Sequence, residues 1–253
     1  MSKTAIVTGG ANGIGRAITI AMAKAGYHVV IADIDTQTGN ALAEELSSDG
    51  GSASQYTIDI TQTDKLDAMV QSVIKQYGSI DVLVNNAGIQ IRNWAIDFEE
   101  ELFDKLMDIN LKAYYFASRT VAKYMKEQDG GGAIVCISSA NSQCFTSRRS
   151  PYNISKAAVN GLVGTLAVEW GRYGIRINAV APGYVMTDMV RQGIAEGIID
   201  METNFKVIPM KRLIEPSEIA SGVCFLASSA ASAITGQTLF IDGGWSCCGL
   251  PED

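Results

Sequence analysis

Several features are scarce in this 253-residue sequence, which has one histidine, five cysteines and no long apolar run. The odd number of cysteines and the lack of a C-x-x-C pair predict neither a disulfide framework nor a zinc site, so no metal is expected. No apolar stretch approaches the ~18 residues of a membrane span, and the N-terminus lacks the regions of a secretory signal. We therefore expect a cytoplasmic protein that does not bind a membrane.

Positive charge is scarce too. Lys and Arg number 20 against 27 Asp and Glu, which gives a formal net charge of −7. An acidic surface repels nucleic acid and anionic lipids, so a small molecule is the expected partner. No linker, low-complexity segment or internal repeat interrupts the chain. Residues 1–253 are therefore predicted to form a single domain.

What the sequence does contain is an alternation of short apolar runs and longer segments with helical spacing. The apolar runs are nearly continuous, as strands buried on both faces of a parallel sheet are. The alternation predicts an α/β fold with one doubly wound (Rossmann) parallel sheet of about seven strands and helices on both faces. The predicted strands cover 4–8, 29–32, 53–58, 80–84, 133–138, 175–181 and 238–241, and the predicted helices 13–25, 36–48, 63–77, 99–128, 151–173 and 216–228.

Glycines lie where the first strand runs into the first helix, with the spacing G-x-x-x-G-x-G. Glycine lets the backbone approach a pyrophosphate, and the N–H groups of a helix N-terminus attract the anion. A structural tight turn is the alternative explanation. The loop residues expected at a dinucleotide are Gly9, Asn12, Gly13, Ile14 and Gly15.

Asp33 ends the second strand, 18 residues beyond Gly15, where the dinucleotide fold places an acid on the adenine ribose. A carboxylate accepts hydrogen bonds from the ribose hydroxyls but repels a 2′-phosphate, and neither Asn12 nor Ile34 supplies a compensating cation. NAD is therefore favoured over NADP.

The acids near these strand ends also have a simpler explanation. Asp33 can be a helix-start acid without a ligand, since Asp35 beside it can serve as the helix cap. Asp59 and Ile60 follow the third strand and are placed to meet an adenine ring. A helix cap explains Asp59 equally well.

The segment 150–156 reads SPYNISK, which predicts a helix start with Ser150 as the cap and Pro151 at the first helical position. Tyr152 and Lys156 then lie at i and i+4 on one face. A nearby ammonium, a helix N-terminus and an oxidised nicotinamide all favour the phenolate of Tyr152. Tyr152 can then exchange a proton with an alcohol while hydride moves to the cofactor.

Further motifs follow in order along the chain: Asn85-Asn86-Ala87-Gly88, Asn110, Ser138-Ser139, the Tyr152/Lys156 pair, and Pro182-Gly183 followed by Thr187. Together with the glycine loop they resemble the classical short-chain dehydrogenase/reductase family from residue 4 to about 244. The resemblance implies that Ser139 holds the substrate oxygen and Tyr152 is the acid/base. It also implies that Lys156 binds the nicotinamide ribose and tunes Tyr152, and that the Asn110 amide positions a relay water.

The resemblance implies more about the cofactor and about assembly. It places a homotetramer on the long helices 99–128 and 151–173 and on the last strand, and a hinge for a substrate lid at Gly183. Taken singly, a strand-end cap explains Ser139, a helix irregularity explains Asn110, and a turn explains 85–88. The additional residues expected at the cofactor are Asn86, Ala87, Gly88, Tyr152, Lys156, Pro182, Gly183, Val185 and Thr187.

In the family, the substrate pocket is built from segments that here correspond to 89–94, 140–150 and a lid at about 184–210. These segments are polar, unlike the apolar wall that a steroid or long acyl chain requires. An arginine fork suits a carboxylate, sulfonate or phosphate, so at least one arginine is expected to clamp a substrate anion. The alternative is that the four arginines of these segments, at positions 92, 148, 149 and 191, are all solvated surface charges without a ligand. The residues expected at the substrate are Gln90, Arg92, Ser139, Asn141, Arg148, Arg149, Tyr184 and Arg191.

The sequence thus predicts an NAD-dependent dehydrogenase that interconverts a secondary alcohol, or a sugar hemiacetal, and its carbonyl. Its substrate is expected to be small and polyhydroxylated or anionic, since the 85–90 run and the segment 242–245 are similar to those of sugar-acid and polyol dehydrogenases of the family. An NADPH-dependent carbonyl or 3-oxoacyl reductase is the alternative enzyme, and Asp33 disfavours it. A non-catalytic dinucleotide-binding regulatory protein of the same fold is the remaining alternative.

Overall fold

Seven parallel strands form one sheet in the order β3-β2-β1-β4-β5-β6-β7 in the computed structural model, which describes residues 3–197 and 205–248. This confirms the predicted doubly wound α/β fold. The strand order reverses between β1 and β4, so the ligand crevice of such a sheet lies at the carboxyl ends of these two strands. The strands are β1 Thr4–Thr8, β2 His28–Asp33, β3 Ser52–Thr57, β4 Val82–Asn85, β5 Gly132–Ile137, β6 Ile175–Pro182 and β7 Thr238–Ile241.

Helices cover both faces of the sheet and create two apolar layers. Ile6 belongs to one layer, together with Val121, whereas its neighbour Val7 belongs to the other, together with Ile18. Central strands therefore bury successive side chains on opposite faces, which requires their nearly continuous apolar sequence. The helices are α1 Gly13–Lys24, α2 Thr36–Ser48, α3 Leu66–Tyr77, α4 Glu100–Met107, α5 Ala113–Met125, α6 Ser150–Trp170, α7 Asp188–Ala195 and α8 Pro216–Ala227.

The edge strands do not fit the prediction of burial on both faces. Every residue of β3 (Ser52–Thr57) is at least partly exposed, as is every residue of β7, because an edge strand receives less cover from the flanking helices. The fourth strand also begins later than predicted. Ile80 precedes β4, and its N–H donates to Gln128 Oε1 at 3.0 Å.

The predicted helix 99–128 is interrupted. A π-helical turn at Asp108–Lys112 separates α4 from α5, and it contains Asn110, which is fully buried. Such turns insert one extra residue and are frequent at functional sites. The interruption therefore lies at a residue that the sequence had singled out.

Helix α6 starts one residue earlier than predicted. Arg149 is the N-cap residue and makes no side-chain cap bond, so Ser150 is the first helical residue rather than the cap. The Arg149 carbonyl accepts from the Asn153 N–H at 2.8 Å. Pro151 lies in the first turn, where its missing N–H costs no helical hydrogen bond. Tyr152 is thereby held close to the helix N-terminus.

The lid predicted at about 184–210 is described in part, since residues 198–204 lie outside the described residues. Its first half forms α7. Its second half contributes Phe205 and Ile208 to a small apolar cluster with Ala140, Tyr184 and Trp245. Among the described residues, none of the helices has the length and apolar character that crossing a bilayer requires.

Candidate active site

The glycine loop after β1 has a backbone that only glycine fits. Gly9 and Gly13 have φ angles of +61° and +55°. A Cβ on Gly9 would lie 2.8 Å from the Ala87 Cα, and one on Gly15 would overlap the Gly9 carbonyl oxygen. Positive φ and these close approaches both exclude a larger side chain. The loop is therefore held against the segment that follows β4.

Asn86 makes the bonds that hold the loop in place. Its amide Nδ2 donates to the Thr8 carbonyl at 3.0 Å and to the Gly9 carbonyl at 2.9 Å. The backbone N–H groups of Asn86 and Ala87 donate to Thr8 Oγ1 at 2.9 and 3.2 Å. Asn86 and Ala87, predicted at the cofactor, thus act on the shape of the glycine loop itself.

The start of α1 fits the pyrophosphate of a dinucleotide. Asn12 at the N-cap makes no side-chain bond to the first-turn N–H groups, and its Nδ2 instead donates to Asp35 at 3.4 Å. The N–H groups and positive end of the helix are left for an anion. A Cβ on Gly13 would meet no atom nearer than the Thr187 Cγ2, at 3.9 Å, so there is room in front of the loop. The Ile14 side chain packs against the core.

The acids at the strand ends divide into two kinds. Asp33 accepts from the Ala11 N–H at 3.0 Å and from the Asp35 N–H at 3.0 Å, which fixes its carboxylate beside the glycine loop. Asp35 accepts from the Thr38 N–H at 3.0 Å and is the cap of α2. Asp33 thus lies where a ribose acid is expected, and Asp35 performs the capping.

Asp59 and Ile60, which are predicted to meet an adenine ring, make contacts within the protein. Asp59 accepts from the N–H and the hydroxyl of Thr61 at 2.9 and 2.7 Å, and these bonds lower the pKa of the Asp59 carboxyl. The Ile60 side chain is only 7% exposed because it packs into the core. Asp59 is not the helix cap of the alternative explanation, since Gln62 and Lys65 are the N-caps of the helices that follow; it stabilises a local turn, and its place at the adenine ring stays a prediction.

Ser139, Tyr152 and Lys156 converge at the carboxyl end of β5. The Ser139 hydroxyl hydrogen-bonds with Tyr152 and accepts from the Asn141 N–H at 3.1 Å. Lys156 is buried, and its Nζ donates to the Ile137 carbonyl at 2.8 Å. The same Nζ lies 5.8 Å from the centre of the Tyr152 ring. A hydroxyl, a phenol and an ammonium thus line one corner of the cleft.

The protein's own groups favour the neutral phenol, contrary to the predicted phenolate. Burial raises the pKa of Tyr152, and the Ser139 hydrogen bond and the Arg149 charge oppose this increase only in part. Burial also lowers the pKa of Lys156 to about 8, with Cys136 opposing. Desolvation outweighs charge at this site because Lys156 is buried and the partly exposed Tyr152 is largely surrounded by protein.

The Asn110 amide has partners within the protein, and its positioning of a relay water stays a prediction. Its Oδ1 accepts from the Ile89 N–H at 2.8 Å, and its Nδ2 donates to the Ile89 carbonyl at 2.9 Å and to Ser155 Oγ at 3.3 Å. The buried amide therefore fixes the start of the 89–94 segment. A Cβ on Gly88 would lie 3.3 Å from Asn110 Oδ1 and 3.6 Å from Lys156 Nζ, so Gly88 closes this corner.

The segment that follows β6, residues 183–187, forms the opposite wall of the cleft. Gly183 follows Pro182, and a Cβ there would lie 2.7 Å from the Asp242 Cα, so close packing rather than a hinge requires glycine. Val185 is buried and pairs with Ile214. Thr187 caps α7 by accepting from the Val190 N–H at 3.4 Å.

The predicted substrate residues are only partly brought together. Asn141 is buried and binds Arg149, whose Nη1 donates to Asn141 Oδ1 at 3.3 Å. The Tyr184 ring packs on Trp245 with centres 4.7 Å apart. Gln90 and Arg191 are exposed. Arg92 is exposed as well, and its pKa is lowered by desolvation and by the charges of Arg149 and Arg148, whereas Tyr184 raises it.

The sequence model of the family described as enoyl-(acyl carrier protein) reductase matches residues 9–246. The chain belongs to the classical short-chain dehydrogenase/reductase family. Members are oxidoreductases that use a nicotinamide dinucleotide, and the similar proteins act on CH–OH groups.

Relatives of this short-chain dehydrogenase/reductase match it over nearly their whole length. L-rhamnose 1-dehydrogenase (NAD(P)(+)) of Azotobacter vinelandii is 38% identical over 96% of both chains. A 3-oxoacyl-(acyl-carrier-protein) reductase of Thermotoga maritima is 36% identical over 96% of this chain and 97% of its own. The crystal structure of a gluconate 5-dehydrogenase from Burkholderia cenocepacia J2315 with NADP and tartrate has a TM-score of 0.91 and 32% identity, covering 98% of this chain and 96% of that one. The family therefore includes sugar and sugar-acid dehydrogenases close to this chain.

Two residues of this short-chain dehydrogenase/reductase site were missed by sequence reasoning. Thr8 is fully buried and its hydroxyl joins the glycine loop to the segment after β4. Ser155 binds the Asn110 amide. A polar residue that ends an apolar strand or lies on the inner face of a helix is the signal in each case, because a buried hydroxyl needs a partner.

Proposed function

We propose that this protein is an NAD-dependent dehydrogenase that interconverts a secondary alcohol, or a sugar hemiacetal, and its carbonyl. The observation that carries the proposal is the convergence of Ser139, Tyr152 and Lys156 at the carboxyl end of β5. This corner lies on the same edge of the sheet as the glycine loop. Ser139 and Tyr152 hydrogen-bond with each other and so can bind one substrate oxygen together.

The proposed roles follow from the chemistry of each group. Bound nicotinamide dinucleotide supplies the hydride acceptor or donor. During alcohol oxidation, Tyr152 Oη receives the hydroxyl proton while Ser139 Oγ holds the same oxygen. Lys156 places an ammonium at this corner, where it favours the charged form of the phenol. Asn110 acts as a positioning residue, because its amide fixes the backbone of Ile89.

NAD as the preferred cofactor is supported by Asp33. Its carboxylate is held at the end of β2 by the Ala11 N–H, and a negative charge there repels the 2′-phosphate of NADP. The relatives use either cofactor, since the rhamnose dehydrogenase is named for NAD(P)(+) and the gluconate dehydrogenase structure contains NADP. The preference of this chain for NAD is therefore proposed from Asp33 and not from its relatives.

A small, polar, polyhydroxylated substrate is proposed from the loops around Tyr152. Asn141, Arg149 and Arg92 offer hydrogen bonds and charge on this side of the cleft. The named sugar and sugar-acid dehydrogenases support a sugar, sugar acid or polyol. The 36% identical 3-oxoacyl reductase keeps an NADPH-dependent reductase as the second candidate.

A homotetramer is proposed from apolar side chains that remain exposed on the long helices and the last strand. Val168 on α6 is 86% exposed, and burial against a second copy would remove this apolar area from water. Light scattering should give four times the monomer mass. The exposed large apolar residues on α5, α6 and the turn after it, α8 and β7 are Tyr115, Ile154, Val168, Tyr173, Phe225 and Leu239.

Turnover assays test the proposed reaction. Sugars, sugar acids and polyols are offered with NAD or NADP, and 3-oxoacyl thioesters with NADH or NADPH, and absorbance of the reduced cofactor is followed. We expect turnover of a polyhydroxylated substrate with NAD, and a Tyr152→Phe loss of kcat of about 10²–10⁴-fold. Turnover confined to 3-oxoacyl thioesters with NADPH would establish the reductase instead. Unchanged kcat in Tyr152→Phe would favour a non-catalytic binding protein.

A further inference from the structure

Three arginines come from two loops that are bonded to each other beside Tyr152. The Asn93 N–H donates to the Arg148 carbonyl at 3.0 Å, which joins the 89–94 segment to the segment before α6. Arg148 Cζ lies 5.6 Å from the centre of the Trp94 ring. These contacts hold Arg92, Arg148 and Arg149 on one side of the cleft.

Arg149 has a fixed position relative to the reacting groups. Its Nη1 donates to Asn141 Oδ1 at 3.3 Å, and the Asn141 N–H donates to Ser139 Oγ at 3.1 Å. Asn141 is only 3% exposed and is held further by the Cys144 carbonyl at 2.9 Å. One buried amide therefore links the guanidinium to the hydroxyl that hydrogen-bonds Tyr152.

None of these arginines forms an ion pair with an acid among the described residues. Burial and then the charge of Arg149 lower the pKa of Arg92, and Tyr184 opposes them. Ion pairs within residues 3–197 and 205–248 all involve other side chains. Arg149 is partly buried and Arg92 is exposed. Like charges that act on each other repel, so an anion that bound between them would relieve this repulsion.

The two other arginines are less suited to the same task. Arg148 has a φ angle of +61°, and its guanidinium lies over the Trp94 ring. Arg191 is exposed on α7, and no charge interaction joins it to Arg92. Arg149 is thus the candidate arginine bonded to the Ser139 side of the cleft, Arg92 interacts with its charge and with that of Arg148, and Arg191 belongs to neither contact.

We propose that Arg149 and Arg92 bind the carboxylate of a hydroxy acid whose hydroxyl-bearing carbon reacts at Tyr152. This inference rests on the proposed function and narrows its substrate to polyhydroxylated carboxylic acids. Arginine suits the role because its planar fork matches the two oxygens of a carboxylate. The Asn141 link keeps the Arg149 guanidinium at a fixed distance from Ser139. The bound acid therefore has a defined distance between its carboxylate and the carbon that reacts.

Calorimetric titration tests the carboxylate site without requiring turnover. Tartrate is the probe, and erythritol is its neutral four-carbon counterpart; each is titrated into the full-length protein with saturating NADH and without it. We expect tartrate to bind at least tenfold more tightly than erythritol. Arg149→Ala should remove this preference, Arg92→Ala should reduce it severalfold, and Arg149→Lys should retain part of it because charge remains without the fork.

Arg172→Ala is the matched control. Arg172 is exposed and follows the far end of α6, 20 residues from Tyr152 and so about 30 Å along the helix. Its loss removes the same charge and should leave the tartrate affinity unchanged. Thermal unfolding of each variant verifies that it folds.

Several outcomes would overturn the carboxylate assignment. Equal binding of tartrate and erythritol, no tartrate binding, or an unaltered preference in folded Arg149→Ala would each reject it. Tighter binding of inorganic phosphate or of isethionate, a hydroxysulfonate, would assign the pair to another anion. Tyr152→Phe distinguishes the two proposals, because it should lower kcat about 10²–10⁴-fold while the preference for tartrate over erythritol persists. A tartrate preference without any turnover of hydroxy acids would leave the anion site standing and reject the proposed reaction.

Discussion

The two ends of the cleft are built differently. At the cofactor end, Asn86 and Thr8 form hydrogen bonds that join the glycine loop to the segment after β4. The protein itself therefore fixes the conformation of the loop. At the substrate end, Arg92 and Arg149 carry charge for which no acidic partner is present among the described residues. The first end offers a rigid shape, whereas the second offers charge.

This difference separates two sources of specificity. A fixed backbone with free N–H groups binds the shared pyrophosphate of any dinucleotide. A charged, half-exposed surface selects among substrates through the group that neutralises it. Substitutions at the cofactor end should therefore change the fold and cofactor binding together, while substitutions at the substrate end should change affinity alone.

The largest effect is expected from Gly9→Ala. The left-handed φ costs about 1–2 kcal/mol, and the clash with the Ala87 backbone adds about 1–3 kcal/mol. Urea unfolding should show both losses, and the KM for NAD should rise at least tenfold. Gly50→Ala is the control, because Gly50 has a φ angle of +79° with no atom within 4 Å of its Cβ position. Equal destabilisation by the two changes would mean that the close approach to Ala87 is unimportant.

Lys156→Met tests the corner where the two ends meet. Burial lowers the pKa of Lys156 from 10.5 to about 8, so the folded protein bears a penalty of roughly 3 kcal/mol while both states are protonated. The penalty is complete below about pH 8 and disappears as the pH rises towards the unfolded pKa. The free energy of unfolding of the wild type should therefore rise relative to Lys156→Met between about pH 7.5 and pH 10. A difference that stays constant across this range would contradict the burial of a charged ammonium.

Asp33→Asn tests the cofactor end for charge rather than shape. The amide keeps an acceptor oxygen but does not repel a 2′-phosphate. The ratio of kcat/KM for NAD to kcat/KM for NADP should therefore fall at least tenfold, which corresponds to a free-energy difference of about 1.4 kcal/mol. Asp49→Asn, at the other end of α2, makes the same change of charge and should leave the ratio within about twofold. A similar ratio in wild type and Asp33→Asn would remove the basis for NAD preference.

The smallest effect is expected from Asp59→Ala. Loss of the bonds to Thr61 should cost about 1 kcal/mol of stability, similar to the loss of a helix cap, and the Kd for NADH should change less than about twofold. Fluorescence titration with NADH measures the second quantity, and Thr61→Val provides the matched change on the partner. Tenfold weaker NADH binding would support the predicted place of Asp59 at the adenine ring.

Sequence reasoning succeeded where a local pattern has one physical cause. The glycine loop, Asp33 and the i, i+4 spacing of Tyr152 and Lys156 each lie on a single strand–turn–helix unit, and the structure has them where the pattern predicts. Sequence reasoning did not identify contacts made with a partner from elsewhere in the chain. Asn110 binds the backbone of Ile89, and Gly183 is required by the closeness of Asp242.

The sequence alone thus determined the α/β fold, because hydrophobic period and glycine spacing act over a few neighbouring residues, and its ordered motifs identified the family by their resemblance. Tertiary structure decided which side chains share a site. Burial raises the pKa of Tyr152 against the charges that favour its phenolate, and the bond between Asn93 and Arg148 joins the two loops that carry Arg92 and Arg149. Desolvation and charge proximity depend on distances between residues far apart in the chain, and only the folded structure sets those distances.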